Sequence, residues 1–257
     1  MTKILRLITT SFLIVLLGTG CSSKNSDKPK VENKPPVALY ADAKAALESA
    51  NFEKAMEYLE ALDNRYPFGP HSDQVQLDLI YTYYKLDETA LALASIDRFI
   101  RLNPNHRNLD YLYYMHGLTN MAAEQNFFQD LFSIDRFNRD PGYALQAFKD
   151  FSRVIKYYPN SQYAADAKLR MIYIKDRLAR YEIAVAKWYI ERKAYIAAIN
   201  RAKIVLNSYP DTKSTETALE IMIQGYDALD LTQPKENALA VLKLNYPANY
   251  IFQQDEK

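Results

Sequence analysis

Side chains that could carry out chemistry are few and scattered in this chain of 257 residues. The three histidines are His71, His106 and His116, and none stands at metal-ligand spacing from another histidine or from a cysteine. The single cysteine, Cys21, excludes an internal disulfide and a cysteine-based zinc site. No G-x-S-x-G nucleophile motif occurs. The pattern favours a protein without a catalytic centre, and we expect neither a cofactor nor a metal.

Glycine content and charge exclude further classes of protein. Only six glycines occur, and after Gly20 no two are close enough to form a phosphate-cradling loop, which excludes P-loop and dinucleotide-binding folds. The 32 basic and 31 acidic residues nearly cancel, so we expect no nucleic-acid partner. A hydrolase with paired acids stays open, although acidic residues on helical proteins more often form solvated faces.

The first twenty residues have the features of a targeting signal. Lys3 and Arg6 precede an apolar run ending at Leu17, which is shorter than the ~20 residues of a membrane-spanning helix. We interpret residues 1–20 as a lipoprotein signal peptide and Cys21 as the lipidated N-terminus of the mature chain. An ordinary secretory signal followed by a free cysteine is the alternative.

A polar stretch follows the cysteine. Residues 22–36 contain one aliphatic side chain, Val31, and cannot fold alone. We therefore predict that residues 21–36 are a lipidated N-terminus and flexible tether. Ser22, and not aspartate, follows Cys21, which by similarity to lipoprotein sorting signals indicates the outer membrane.

The remainder of the chain repeats. Five similar strings end in a proline, and the intervals between these prolines are 37, 55, 51 and 37 residues. The prolines are Pro67, Pro104, Pro159, Pro210 and Pro247. Twelve residues before each of the first four stands an alanine: Ala55, Ala92, Ala147 and Ala198. Small residues at helix contacts and a proline at the exit are typical of tetratricopeptide repeats.

We therefore expect an all-α tetratricopeptide-repeat superhelix over residues 37–257, with about ten helices in five antiparallel pairs. A long helix over 161–192, with Ser161 as its N-cap and apolar residues at helical spacing, explains the 51-residue interval. The predicted helices are 38–50, 53–65, 72–85, 88–102, 108–123, 141–157, 161–192, 195–208, 213–229 and 234–245.

An insert over residues 124–140 explains the 55-residue interval. It is rich in phenylalanine, and it either folds onto its own repeat or forms an apolar contact with a partner. Just before it, Gly117 stands where two helices should approach most closely. We interpret its neighbour His116 as a packing residue and not as a catalytic base.

Several long strings of the chain are distinctive, among them LEALDNRYPFGPHSDQVQLDLIYTYYK at 59–85, DRFNRDP at 135–141 and YPNSQYAADAKLRMIYIKDRLARYE at 158–182. These strings resemble the BamD family of lipoproteins, which belong to the outer-membrane β-barrel assembly machinery. The resemblance covers nearly the whole mature chain. It implies a non-enzymatic scaffold on the periplasmic face of the outer membrane. The implied partners are a POTRA domain of BamA, BamC and other lipoproteins of the complex, and unfolded outer-membrane proteins.

The resemblance also implies site residues. Tyr66, Phe68 and Gly69 of the intact RYPFGP motif would border the substrate-binding groove, and Arg201 would face BamA. Two structural alternatives stay open: Tyr66 as a ring that closes its repeat, and Arg201 as half of an intramolecular ion pair. Two alternative functions also stay open, a peptidoglycan-associated lipoprotein and a general periplasmic adaptor.

Overall fold

The computed structural model describes residues 31–69, 71–129 and 141–253, and over these residues the chain is helical without strands. Ten helices of three turns or more are followed by a single helical turn. Their bounds are α1 Pro36–Glu48, α2 Phe52–Arg65, α3 Ser72–Lys85, α4 Thr89–Leu102, α5 Leu109–Gln129, α6 Gly142–Tyr157, α7 Ala164–Glu191, α8 Tyr195–Ser208, α9 Ser214–Ala228, α10 Thr232–Asn245 and α11 Tyr250–Gln253. The predicted all-α fold is confirmed.

Two units can be distinguished in the chain, Met1–Pro35 and Pro36–Lys257. In the first unit, the described residues 31–35 form no regular structure. The second unit contains every helix given above, and its buried core extends from Leu39 to Leu242. Because the buried core of the described residues lies within the second unit, we expect residues 36–257 to fold on their own. No helix in the described part of the chain is long and apolar enough to cross a membrane.

The positions of the repeated alanines determine how the helices pack against one another. From α1 to α10 each helix packs against the next one in sequence, and short connections make these neighbours antiparallel. The alanines predicted at the contacts are completely buried, namely Ala55, Ala92, Ala147 and Ala198. Four residues further on, Leu59, Ile96, Phe151 and Ala202 are also completely buried. Helices of one pair thus approach through an alanine, and the residue one turn later fills the space beside it.

Two kinds of turn alternate along the stack. Within four of the pairs, the turn contains a non-glycine residue with φ of 55° to 58°, which ends the first helix in a left-handed conformation. These residues are Ala50, Asp87, Lys193 and Asp230. Between pairs, the chain passes through a repeat proline instead. Because neighbouring helices are antiparallel, the left-handed turns and the proline turns lie in opposite directions along the helix axes. We call the side of the left-handed turns the left-handed edge, and the side of the proline turns of the first three repeats the proline edge.

Two glycines permit close contact between helices. A Cβ atom on Gly117 of α5 would lie 2.7 Å from Cε1 of Phe151 on α6. A Cβ atom on Gly225 of α9 would lie 2.7 Å from Cγ1 of Ile199 on α8. The prediction that Gly117 marks the closest approach in its pair agrees with this geometry.

Helix α7 differs in detail from its prediction. It begins at Ala164, because Ser161 belongs to the preceding turn, where its Oγ accepts a hydrogen bond from the Tyr163 amide at 3.2 Å. Ser161 as the helix N-cap is therefore wrong. With 28 residues the helix is about 42 Å long. Its exposed face carries the apolar residues that suggested a helix, Leu169, Ile172 and Tyr173, which are 67%, 60% and 53% exposed.

The insert begins as helix. Residues 124–129 continue α5 to Gln129, and Glu124 forms an ion pair with Arg177 of α7. This contact ties the end of α5 to the middle of α7. Residues 130–140 lie outside the described residues, so both interpretations of the insert stay predictions.

Candidate functional site

The RYPFGP turn connects α2 to α3 and presents an aromatic ring to solvent. Tyr66 caps α2 through its amide, which donates to the Leu62 carbonyl, and the Gly69 amide donates to the Tyr66 carbonyl at 3.0 Å. A Cβ on Gly69 would lie 3.2 Å from that same carbonyl oxygen, so a larger residue would strain the turn. Phe68 at the tip is 98% exposed. A fully hydrated ring held on a short turn can gain free energy by burial against an apolar partner.

Beside this turn, a ring stack and a hydrogen bond connect two helices. The rings of Tyr40 and His71 stack with centroids 5.1 Å apart. The Tyr40 hydroxyl donates to Asp78 at 3.0 Å, and Gln74 donates to the other oxygen of the same carboxylate at 2.8 Å. Burial, together with the charge of Asp78, raises the pKa of Tyr40. These contacts join α1 to α3 and fix the position of the helix that follows the turn.

A second aromatic surface joins α5 to α7. The rings of Tyr114 and Tyr163 stack at 4.8 Å, and the Tyr114 hydroxyl donates to Asp166 at 2.6 Å. Burial and the hydrogen bond to Asp166 raise the pKa of Tyr114 to about 12. Burial opposes ionisation of Asp166, but the hydrogen bonds from Tyr114 and Arg170 hold the pKa of its carboxyl below the usual value.

Arg201 lies on α8 and pairs with Glu182 of α7. Its Nη1 is 3.1 Å from Oε2 of Glu182, and the two side chains are 37% and 12% exposed. Burial disfavours the guanidinium charge, but the hydrogen bond and charge of Glu182 hold the pKa of Arg201 above its usual value. The intramolecular ion pair that the sequence left open therefore exists. A guanidinium has five donors in a planar fork, so a partly exposed one can bind a second carboxylate.

A buried polar cluster lies between α5 and α6, and it was not predicted from the sequence. Nδ1 of His116 lies 2.6 Å from Oδ2 of Asp150, whose side chain is 1% exposed. Gln146 donates to both oxygens of Asp150 at 3.2 Å, and the Asn120 amide lies 3.1 Å from the His116 ring. On its other side, Nε2 of His116 lies 3.6 Å from Asp97 of α4.

The cluster agrees with the interpretation of His116 as a packing residue, although the packing is polar. One signal in the sequence pointed to it. Asp150 stands nine residues before its repeat proline, at the same register as Arg201 in the next repeat. Two charged residues at one inward register predict partners on the facing helix, but their identity is not visible in the sequence.

The structure separates the site residues that the sequence predicted. The RYPFGP turn lies between the first two helix pairs, whereas Arg201 lies in the fourth pair. They are therefore two surfaces and not one site. Cys21 lies outside the described residues, so its lipidation stays a prediction. Among residues 31–69, 71–129 and 141–253, no group of three or more His, Cys, Asp or Glu side chains is placed to hold a metal ion.

Comparison with known proteins gives the family. The model of the YfiO family, described as outer membrane lipoprotein, matches residues 32–242. A relative from Vibrio cholerae is 50% identical over 238 residues, which are 92% of this chain and 98% of the relative. A relative from Pasteurella multocida is 39% identical over 235 residues, 91% of this chain and 90% of the relative.

A third relative, from Neisseria gonorrhoeae, is 43% identical over 209 residues, 81% of this chain and 78% of the relative. All three relatives carry the name outer membrane protein assembly factor BamD. The identities and coverage are high enough to decide the family: the chain belongs to the BamD family of outer membrane lipoproteins.

Proposed function

We propose that this protein is a non-enzymatic scaffold of the outer-membrane β-barrel assembly complex. It is held at the periplasmic face of the outer membrane by lipid on Cys21, and it binds BamA, BamC and unfolded outer-membrane proteins. Membership of the BamD family, over nearly the whole folded part of the chain, carries this proposal. The described surface adds two recognition elements of different chemistry, an exposed aromatic turn and a partly exposed arginine.

The substrate surface is the RYPFGP turn. Phe68 offers an apolar ring, while Tyr66 and Gly69 fix the turn that carries it. An unfolded outer-membrane protein exposes aromatic side chains, and burial of such side chains against Phe68 would contribute binding free energy without a covalent step.

The surface for BamA includes Arg201. Its guanidinium is oriented by Glu182, which leaves other donors of the fork available to a carboxylate of the partner. Orientation by an intramolecular partner reduces the conformational entropy that the arginine loses on binding.

The test for Arg201 must separate interface from stability. A single Arg201→Glu change would place two carboxylates together and destabilise the fold. We therefore propose exchanging the pair, with Glu182→Arg and Arg201→Glu in one chain, which retains an intramolecular ion pair. The expected result is a melting temperature near that of the unchanged protein and a loss of co-purified BamA.

The control for this test is Lys203→Glu, which reverses one exposed positive charge on the same helix as Arg201→Glu does within the exchanged pair. Its co-purification of BamA should stay close to normal. If the exchanged pair still co-purifies BamA as well as the unchanged protein does, Arg201 is not at that interface.

The test for the substrate surface is photo-crosslinking. A photoreactive residue at position 68 should crosslink to peptides from barrel C-termini that end in an aromatic residue. The same residue at position 244 is the control, because Leu244 is 82% exposed but lies at the far end of the stack. Equal crosslinking at both positions would remove the RYPFGP turn from the substrate surface.

A further inference from the structure

The two edges of the stack differ in charge. The proline turns of the second and third repeats, residues 101–109 and 156–163, contain no Asp or Glu and carry Arg101, Arg107 and Lys156. Two carboxylates from neighbouring residues contact them, Asp73 at His106 (3.7 Å) and Asp110 at Ser161 (2.7 Å), so the three basic side chains outnumber the acids at these turns. We call these two segments the basic turns. The left-handed turns of the first and second repeats, 48–53 and 85–89, have the opposite balance, with four acids and one lysine. Among these four turns the charge thus differs between the two edges, although the whole chain is nearly neutral.

Each basic turn also carries an exposed apolar side chain beside its basic residue. Leu102 follows Arg101 and is 66% exposed, and Tyr157 follows Lys156 and is 64% exposed. Nζ of Lys156 lies 5.3 Å from the centre of the Tyr157 ring. Each pair occupies the same register, three and two residues before the repeat proline. Basic side chains beside exposed aliphatic and aromatic ones are the composition found at membrane interfaces.

The connection of the chain to its N-terminal segment lies at this same edge. Because α1, α3, α5 and α7 all run in one direction, α1 begins at the proline edge, at Pro36. From Cys21 to Pro35 are fifteen residues, which reach at most ~50 Å when fully extended. A lipid on Cys21 would therefore keep the edge that carries the basic turns within reach of the bilayer.

We propose that the basic turns form a binding surface for anionic phospholipid headgroups. Arg101, Arg107 and Lys156 attract the negative surface, and Leu102 and Tyr157 enter the headgroup region. The biological setting of this surface rests on the proposed lipid anchor and outer-membrane location. Its chemistry does not, because the basic turns lie within residues 36–257, which include neither Cys21 nor the signal segment.

The test uses residues 36–257 without lipid and measures sedimentation with vesicles. Binding is expected to vesicles of phosphatidylethanolamine with phosphatidylglycerol, to be lost at high salt, and to be weak on vesicles of phosphatidylcholine alone. Changing Arg101→Glu and Lys156→Glu together should lower partition to the anionic vesicles by at least about thirtyfold, since each basic side chain near such a surface contributes about fivefold. Both residues are exposed, so the melting temperature should not change.

The matched control reverses two lysines at the left-handed edge, Lys85→Glu with Lys193→Glu, and should retain vesicle binding. The proposal is overturned if the unchanged fragment does not bind anionic vesicles, or if the two double variants bind them equally. A protein that co-purifies BamA normally while failing the vesicle test would disprove the phospholipid surface and leave the scaffold function intact.

Discussion

The third and fourth repeats use the same register position for opposite purposes. Nine residues before its proline, the third repeat has Asp150 and the fourth has Arg201, and each pairs with the first helix of its own repeat. Asp150 is 1% exposed and sealed by His116, Asn120 and Gln146, whereas the Arg201 side chain is 37% exposed. A charge at this register therefore either locks two helices together or reaches the surface, depending on how the partner helix covers it.

The largest expected effect is on stability and concerns the buried pair of Asp150 and His116, which we call the sealed pair. Asp150→Ala would leave His116, Asn120 and Gln146 facing a cavity without their acceptor, and we expect a loss of about 3–5 kcal/mol in the free energy of unfolding. Chemical denaturation measures it. Asp150→Asn keeps the side-chain volume and one acceptor oxygen, so its loss should be smaller; equal losses would show that charge and not hydrogen bonding holds the cluster.

A second comparison concerns Gly117 and Gly225, the two glycines at close contacts between helices. Gly117→Ala would force its Cβ against the ring of Phe151, which is completely buried, and we expect a loss of about 1–3 kcal/mol. Gly225→Ala meets two atoms of Ile199, at 2.7 and 2.9 Å, and not three atoms of a rigid ring, so its loss should be smaller. Thermal unfolding of both variants would contradict this ranking if Gly225→Ala were the more damaging.

The partly exposed pair of Arg201 and Glu182, which we call the open pair, should matter less for stability than for binding. Arg201→Ala leaves the Glu182 carboxylate without its guanidinium partner, but the exposure of the arginine limits the expected loss to about 1 kcal/mol. Co-purification of BamA should fall much more than this small destabilisation would explain. If stability falls as far as it does in Asp150→Ala, the two pairs are equivalent and the contrast between sealed and open is wrong.

The smallest effect concerns pH. The pKa of Asp166 is lowered in the folded protein, so its carboxylate contributes stability above the pKa of an unfolded aspartate, about 4. This contribution is lost as pH falls through the folded pKa. Asp166→Asn should therefore flatten the acid side of the stability–pH curve and leave its slope near neutral pH unchanged. A steeper acid side in the variant would contradict the assignment.

The register of the repeats could be read from the sequence because it is local. An alanine at a helix contact and a proline at a helix end act within about twelve residues, and their offsets repeat four times. Most helix bounds and the completely buried alanines followed from this pattern, but α5 continues six residues beyond its predicted end at 123. The prediction was wrong at Ser161, where the side chain caps a turn that the proline had already started and the helix begins three residues later.

The sequence alone determined the all-α repeat architecture and the residues that bring its helices together, since both depend on spacing along one chain segment. Only the tertiary structure decided that His116 meets Asp150 and that Glu182 meets Arg201, at separations of 34 and 19 residues. Which polar groups meet across two helices depends on the rotation of each helix about its axis and on how closely the backbones approach. Those quantities are fixed by the packing of the whole stack, and they decide which charge is sealed and which stays available to a partner.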